Sequence, residues 1–537
     1  MTDTTVLPGA VARPTSIHTD DAAKARLKRR YATEQRFKWM GAGAVGLAAF
    51  FLVLLLSTIV IQALPALRMN YLVLPLDLSA AKVDPAKLGE VNYDGIIHDA
   101  LEAKIPDATS RQDRRLMRGL ASTGAGVFLR QDIAADPSML GKTVDFAVPL
   151  DDFADLYLKG LLAAKGSIDP LAGDVTPSAD SGDIDLAFSS DAILSIARSA
   201  GATEGEGNTL RLTSGASSLL VGLNGGTVKL ESLAKGAAGG ATAKGLVLRK
   251  LSSTAPASNG AASLRVIDMP ESSRKISDKE IVWLDALKAE NLVESRFNSV
   301  FFFTGASREP ELAGVWGAIV GSFLTMVVTL AISFPIGVAA AIYLEEFAPK
   351  NRWTHFIEVN INNLAAVPSI VYGLLGLAVF LNFFGLPRSA PLVGGMVLAL
   401  MTLPIIIIAS RASIRAVPPS IREAALGIGA SKVQTVFHHV LPLAMPGIMT
   451  GTILGMAHAL GETAPLLMIG MVAFIVDIPG GFTDPATILP VQIFMWADFP
   501  EPGFQQKTSA AILILLGFLV IMNAVAVILR KRFERRW

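Results

Sequence analysis

Six apolar runs, each long enough to cross a lipid bilayer, constrain the fold of this chain more than any other feature of its sequence. A transmembrane helix needs about 20 apolar residues, and these runs contain a single charged residue, Glu462. They cover residues 40–67, 312–344, 359–387, 389–410, 442–476 and 508–529. A mean hydropathy of +0.48 with 17% charged residues is typical of a membrane protein. We therefore predict an all-α polytopic membrane protein with six transmembrane helices.

The first run could instead be a signal peptide, because a basic segment precedes it. Its apolar core of more than twenty residues is too long for an ordinary signal sequence, which favours an uncleaved first helix.

Basic residues flank the outer ends of the first and last runs and set the predicted orientation. They are Lys24, Arg26, Lys28, Arg29, Arg30, Arg36 and Lys38 before the first run, and Arg530, Lys531, Arg532, Arg535 and Arg536 after the last. Since positive charge stays on the cytoplasmic side, both termini are predicted to be cytoplasmic. The same orientation places Arg411, Arg415, Arg422 and Lys432 on the cytoplasmic side.

About 240 residues between the first two runs have a different, more polar composition. Short β-like segments near 209, 217, 245 and 263 and a turn at Asn224–Gly226 predict strands and a hairpin. Ser277 and Glu280 predict a capped helix. The Gly/Ala/Ser-rich segments at 234–244 and 252–262 predict flexible loops. We expect a soluble α+β domain on the extracytoplasmic side, inserted between helices one and two.

These patterns give predicted boundaries for the whole chain. The segments are a basic cytoplasmic N-terminus at 1–38, a first transmembrane helix at 39–67, the inserted domain at 68–311, a transmembrane domain at 312–530 with a cytoplasmic loop at 411–441, and a cytoplasmic C-terminus at 531–537.

Several classes of protein are disfavoured by the sequence. A net charge of +1 argues against nucleic-acid binding, and the absence of cysteine excludes disulfides and thiolate metal sites. Gly141-Lys142-Thr143 resembles the end of a phosphate-binding loop, but Asp136 stands where its first glycine is required. We therefore expect no enzymatic activity, no metal and no cofactor in this chain, and any ATP must be bound by another subunit.

The loop at 411–441 has the pattern of two short helices at an angle. Glu423–Leu426 forms one helical turn, Gly429 permits a tight reversal, and a second amphipathic piece runs to His439 before Pro442 stops it. An apolar face formed by Ala424, Ala425, Leu426 and Val436 is predicted to dock in a groove on a soluble partner. His438 and His439 point to different faces, which disfavours a metal site.

This loop resembles the EAA loop of ABC importer permeases. The matching residues are Glu423, Ala424, Ala425, Gly429, Leu441 and Pro442, while His439 occupies a position that is usually hydrophobic. The segments at 334–349, 363–377, 461–467 and 489–494 resemble the PstA family of phosphate-transport permeases, of which this chain looks like an extended subtype with a large insertion.

The resemblance implies a subunit of an ATP-driven phosphate importer in the bacterial inner membrane, coupled to an ATPase through the EAA loop. Its implied partners are a homologous PstC-like permease, two PstB-like ATPases, a periplasmic PstS-like phosphate-binding protein and membrane lipid. Two alternatives remain open: a permease for another oxyanion, molybdate or sulfate, and a membrane-anchored sensor that uses the periplasmic domain.

Four residues are candidates for lining the translocation pathway: His458, Glu462, Arg411 and Arg415. An ionisable group such as Glu462 at membrane depth should face a cavity or a partner, and His458 lies one turn earlier on the same helix face. PstA-like sequences usually have arginine at this histidine position. The pair could line an anion route or fix helix packing, and the two arginines could release an anion or contact lipid headgroups.

Overall fold

A computed structural model of the protein describes residues 21–79, 83, 88–162, 166–180, 183–205, 209–236, 239–472 and 474–533. The chain divides into two compact units, residues 1–61 and residues 62–537. The predicted cytoplasmic termini lie partly outside the described residues, at 1–20 and at 534–537.

Helix α1, Asp21–Ala63, contains the first apolar run. Its first turns are charged, and its apolar side chains are exposed along its length; Phe50 and Leu54 are 59% and 50% exposed. Side chains of this kind are stable when the surrounding solvent is lipid. The helix is long and apolar enough to cross a membrane.

The residues that follow form an α+β domain. Its strands are β1 Arg68–Asp77, β2 Thr143–Pro149, β3 Ser167–Pro170, β4 Val175–Asp180, β5 Asp183–Phe188, β6 Thr203–Glu204, β7 Leu210–Arg211, β8 Ser218–Leu223, β9 Gly226–Lys235, β10 Ala241–Arg249, β11 Ser263–Ile267 and β12 Val293–Phe297. Its helices are α2 Tyr93–Lys104, α3 Arg111–Arg118, α4 Ala125–Ala135, α5 Asp152–Lys159, α6 Ala192–Ser199, α7 Asp278–Ala289 and α8 Ser299–Phe303.

Two antiparallel sheets organise this domain around separate cores. The first sheet has the order β12-β1-β2, and Leu72, Leu74 and Leu76 of β1 are fully buried beneath it with Trp283 of α7. The alternation of buried and exposed positions is that of a strand with one face on a core. The second sheet runs β3-β11-β8-β9-β10-β5-β4, with β7 also paired to β9, and covers its own cluster of apolar side chains.

The predicted hairpin is confirmed. Asn224 and Gly225, with φ of 47° and 73°, join β8 to β9, as a two-residue hairpin turn requires. The predicted flexible loop at 234–244 is wrong over most of its length, because β9 continues to Lys235 and β10 begins at Ala241. Ala241 and Ala243 are buried there, so these small residues are packing positions of a strand.

The predicted capped helix is also confirmed. Ser277 accepts a hydrogen bond from the backbone N–H of Glu280, and the Glu280 carboxylate accepts one from the backbone N–H of Ser277, so both halves of a capping box are present at the start of α7.

The remaining helices form the transmembrane domain. They are α9 Trp316–Ile342, α10 Arg352–Leu364, α11 Ser369–Gly376, α12 Pro391–Arg415, α13 Pro419–Gly427, α14 Lys432–Thr435, α15 Leu441–Gly461, α16 Ala464–Met468, α17 Leu489–Asp498 and α18 Pro502–Phe533. Single π-helical segments extend three of them, at Tyr343–Phe347, Leu377–Phe383 and Val436–Val440.

Helix α12 packs between α9 and α15 at close range. A Cβ atom on Gly395 would lie 2.4 Å from the Cβ of Val328 in α9, and one on Gly451 of α15 would lie 2.2 Å from the Cβ of Ala409. Glycine at these crossings lets helix backbones approach closely, which is how membrane helices gain packing energy where water provides no hydrophobic drive.

The third predicted span is not a single helix. Helices α10 and α11, the latter extended to Phe383, meet at a bend of 102°. Pro368 stands at this break and lacks the N–H that would continue the helix, while its ring disfavours helical geometry at the preceding residue. Within the described residues there are therefore five long apolar helices, or six spans if the bent pair counts as one.

A buried hydrogen bond joins the inserted domain to the transmembrane domain: the Asp152 carboxylate accepts from the backbone N–H of Gly503 at 3.2 Å. The Ser122 hydroxyl donates to Glu311 at 2.6 Å, at the end of the inserted domain that leads into α9. Burial raises the pKa of Asp152 to about 7, with a contribution from the neighbouring Asp151 charge, and burial likewise raises the pKa of Glu311 to about 7.

A buried lysine lies at the same junction. The Nζ of Lys507 donates to the backbone carbonyl of Ala313 at 2.8 Å and lies over the ring of Phe301. The inserted domain thus contacts the first turn of α18 through Gly503, and Lys507 of α18 binds the segment that precedes α9.

Candidate functional site

Helices α13 and α14 form a compact projection, here called the knob, over residues 419–440. The chain reverses at Gly429, whose φ of 92° is the left-handed conformation that glycine tolerates, as predicted. The backbone N–H of Ala430 bonds to the Ala425 carbonyl at 3.1 Å and closes α13. Ser431 and Gln434 form a capping box that starts α14.

The predicted stop at Pro442 is wrong. Residues 432–461 form one continuous helical stretch, with Leu441 and Pro442 in the first turn of α15. The π-helical turn just before it, Val436–Val440, has the N–H of Leu441 bonded to the Val436 carbonyl. This wider turn accommodates a proline, which has no N–H to place in an α-helical hydrogen bond. The knob is therefore rigidly continuous with a transmembrane helix.

The predicted apolar face of the knob divides into two sides. Ala425 and Val436 are buried, Val436 among side chains of α9 and α12, whereas Ala424 and Leu426 are exposed. Glu423 is exposed as well. The large exposed apolar side chains of the knob, here called the outer apolar set, are Leu426, Ile428, Val433 and Phe437, at 51%, 83%, 55% and 50% exposure. This surface can bury apolar area against another protein.

Three arginines, two next to the knob and one within it, are paired with glutamates that were not among the predicted site residues. Arg411 lies 2.8 Å from Glu345 through Nε and 2.5 Å from Glu358 through Nη2. Arg415 also contacts Glu345, at 2.8 Å. Arg422, next to the EAA residues, contacts Glu346 at 2.8 Å. An acidic pair directly after an apolar run, on the same predicted side as these arginines, was the signal in the sequence.

Arg411 and Arg415 were predicted to face an anion route or lipid headgroups. The structure places both in ion pairs with protein carboxylates, and Arg411 is only 13% exposed. A part in the pathway stays a prediction for both.

The other two pathway candidates form a separate group. His458 Nε2 lies 3.2 Å from a carboxylate oxygen of Glu462, as their spacing predicted. Glu462 does not lie inside a helix, however, because α15 ends at Gly461 and Glu462 has extended backbone geometry. Pro465 lacks the N–H that would bond to the Gly461 carbonyl, so the helix cannot continue. This pair is at the opposite end of α15 from the knob, roughly 30 Å away for a helix of this length.

Long apolar helices, a helix broken at mid-run and a projecting helical knob are features of a multi-span membrane protein. Residues 333–537 match the family described as the binding-protein-dependent transport system inner membrane component. Residues 24–166 match a domain of unknown function, DUF3333.

Curated relatives agree with this class. The phosphate transport system permease protein PstA 1 of Mycobacterium tuberculosis is 31% identical over 233 residues, 43% of this chain and 76% of that protein. The probable ABC transporter permease protein YqgI of Bacillus subtilis is 34% identical over 32% of this chain, a match that spans 58% of its own length. The permease protein PstC of Haemophilus influenzae is 32% identical over 40% of this chain and 75% of that protein.

The chain belongs to the binding-protein-dependent transport system inner membrane component family of ABC transporters, and within it to the PstA type.

Proposed function

We propose that this chain is the permease subunit of an ATP-driven importer of inorganic phosphate, in which it forms half of the translocation pathway. The observation that carries the proposal is the knob: an EAA pattern on a rigid helical projection with an exposed outer apolar set. Phosphate is proposed as the cargo because relatives named as phosphate permeases align over three quarters of their length.

In this proposal ATP is hydrolysed by partner subunits. The outer apolar set docks in a groove on each ATPase, and closure of the ATPases pulls the knob together with α15 as one body. The remaining partners are a PstC-like permease and a PstS-like binding protein. Both termini lie in the cytoplasm, and the domain at 68–311 lies in the periplasm of a bacterial cell.

Coupling through the knob is tested with the double variant Glu423→Lys, Gly429→Val. A side chain at 429 is strained in the left-handed conformation, and Glu423→Lys reverses an exposed charge of the knob. We expect phosphate uptake to fall to background, measured with labelled phosphate in vesicles. Normal uptake by an assembled double variant would refute coupling through this loop.

A matched pair of variants separates docking from general damage. Ile428→Asp places a charge in the outer apolar set, and Val127→Asp makes the same change at an exposed site of α4, 58% exposed. Only the first should lower ATPase binding in a pull-down with the purified partner.

The cargo is tested separately. Uptake of labelled phosphate should be unaffected by excess sulfate or molybdate and abolished by excess unlabelled phosphate. Competition by sulfate or molybdate would assign the permease to another oxyanion.

A further inference from the structure

Six charged side chains tie the knob to three transmembrane helices. They are Glu345 and Glu346 on the π-helical segment that ends α9, Glu358 on α10, Arg411 and Arg415 on the last turns of α12, and Arg422 on α13. These six residues are here called the charge link. We propose that the charge link holds the knob, α9 and the broken helix pair α10–α11 as one moving body, so that its members are positioning residues for transport.

The knob contacts the end of α9 through both of its helices. Arg422 of α13 donates from Nε and Nη2 to one oxygen of Glu346, at 3.0 and 2.8 Å. Lys432 of α14 lies over the ring of Phe347, 5.2 Å from its centroid. Glu346 and Phe347 are neighbours in the same π-helical segment. A displacement of the knob therefore acts directly on the last turn of α9.

Arg422 also fixes the corner between α12 and α13. Its guanidinium donates to the backbone carbonyls of Ile414 and Val417 at 2.9 and 2.6 Å. The Ile414 carbonyl lies in the last turn of α12 and the Val417 carbonyl just beyond it, at the helix end whose backbone acceptors attract cations. Because one side chain serves Glu346 and both carbonyls, α12 and α13 cannot rotate apart without breaking several charge-assisted hydrogen bonds.

The connection to α10 is of a different kind. None of the α10 side chains is buried, so little apolar packing holds this helix in place. Its Glu358 reaches Arg411 at 2.5 Å, and Arg411 in turn contacts Glu345. Since α10 leads directly into the 102° bend with α11, the Glu358–Arg411 pair determines how movement at the knob reaches the broken helix.

Several members of the charge link are largely buried, so their ion pairs differ from exposed surface pairs in energy. Glu345, Glu346 and Arg411 are 12%, 10% and 13% exposed. Removing one partner leaves a poorly hydrated charge without compensation, which costs far more than the loss of an exposed ion pair. The charge link contains three carboxylates and three guanidinium groups, so its net charge is zero.

The charge link depends on the proposed function only in that ATPase partners move the knob, and it does not depend on which anion is transported. The test therefore measures the distance between the knob and α10. The chain has no cysteine, so spin labels can be placed at two exposed residues, Ser420 of the knob, which is outside the outer apolar set, and Trp353 of α10. In the permease–ATPase complex the label-to-label distance should be a single narrow peak, unchanged between the nucleotide-free and ATP-trapped states.

The variants Glu346→Gln and Glu358→Gln should broaden this distance or make it depend on nucleotide. Phosphate uptake should fall roughly tenfold, while the complex still binds and hydrolyses ATP. Glu346→Asp and Glu358→Asp, which keep the charge, should restore most of the uptake. Arg352→Gln removes an exposed charge of α10 and is the control, with the wild-type distance and uptake.

Two results would overturn the charge link: a nucleotide-dependent distance in the wild type, or wild-type distances in both glutamine variants. If Glu346→Gln does not assemble, Glu358→Gln on the exposed helix carries the same test. Failure of phosphate uptake in the wild-type complex would refute the proposed cargo and leave the distance measurement decisive for the link.

Discussion

The inserted domain and the transmembrane domain satisfy their buried polar groups in different ways. In the inserted domain Asp278, 1% exposed, is paired with Arg274 at 2.6 Å and with Lys229 at 2.7 Å. In the transmembrane domain buried hydroxyls bond to their own helix: Thr329 donates to the Thr325 carbonyl at 2.9 Å. Lys229 reaches Asp278 from a strand distant in sequence, whereas Thr329 is satisfied by its own helical turn. The charge link is the exception among the transmembrane helices.

The two regions also pack differently. The inserted domain buries leucines and Trp283 beneath its sheets, so water drives its folding. The transmembrane helices approach at glycines such as Gly395 and Gly451, since lipid provides no such drive. We therefore expect a charge change to be most damaging at a buried ion pair of the inserted domain, and a volume change to be most damaging at a glycine crossing of the transmembrane helices.

Asp278→Asn should have the largest effect on stability. It leaves Lys229 and Arg274 without their shared carboxylate, which costs about 3–5 kcal/mol for a buried pair. The measurement is urea unfolding of the full chain in detergent, followed by tryptophan fluorescence. Glu294→Gln, which removes a half-exposed partner of Arg296, is the control and should cost at most about 1 kcal/mol. Equal effects of the two changes would contradict the proposed role of buried charge.

Asp152→Asn should reveal the pH dependence of the junction between the regions. The folded-state pKa of about 7 lies above the ordinary value of 3.8. Asp152 therefore contributes stability that is fully present below pH 4 and is lost as the pH rises through 7. Asparagine keeps a neutral acceptor for Gly503, so the variant should match the wild type near pH 4 and exceed it by about 2–4 kcal/mol at pH 9.

The measurement for this change is the difference in unfolding free energy between variant and wild type from pH 4 to pH 9. Asp132→Asn, at an exposed site of α4, should show a flat difference. A flat difference for Asp152→Asn as well would mean that the carboxyl is not buried at the junction.

Gly395→Val should destabilise the transmembrane domain through volume alone. The added side chain would meet Val328 of α9, and overpacking of this kind costs about 1–3 kcal/mol. Gly517→Val on α18, where nothing lies within 4 Å of the added Cβ atom, is the matched control. Thermal unfolding in detergent should separate the two variants, and equal midpoints would argue against close contact of α9 and α12.

Asn224→Ala should have the smallest effect. Alanine is disfavoured at a φ of 47°, and the Asn224 amide donates to the carbonyls of Ser253 and Ala255. We expect a loss of about 1–2 kcal/mol in urea unfolding. Asn224→Gly keeps the backbone freedom and should recover the conformational part, so identical losses for both variants would assign the whole effect to the side-chain hydrogen bonds.

Local patterns of the sequence predicted local features well. The apolar runs gave most of the long helices, Ser277 with Glu280 gave a capping box, and Asn224 with Gly225 gave a hairpin. The EAA spacing located the knob and its reversal at Gly429. Each of these depends on residues within a few positions of one another, where the backbone geometry is decided by steric and hydrogen-bonding rules.

The wrong predictions concern helix ends, where the backbone geometry depends on contacts beyond a short segment of sequence. Pro442 was expected to end a helix, but a π-helical turn accommodates it. Residues 359–387 were predicted as one span, yet the chain turns by 102° at the break that contains Pro368. In both cases a proline removes one hydrogen bond, and the surrounding helices determine whether the backbone bends, widens or stops.

The sequence by itself determined that this protein is a multi-span membrane protein with a large polar insertion and an EAA-type loop, because hydropathy and motif spacing are properties of the linear chain. Only the tertiary structure decided that Glu345, Glu346 and Glu358 meet Arg411, Arg415 and Arg422. These residues are 53 to 76 positions apart, and such pairs form only after α9, α10 and α12 have packed together.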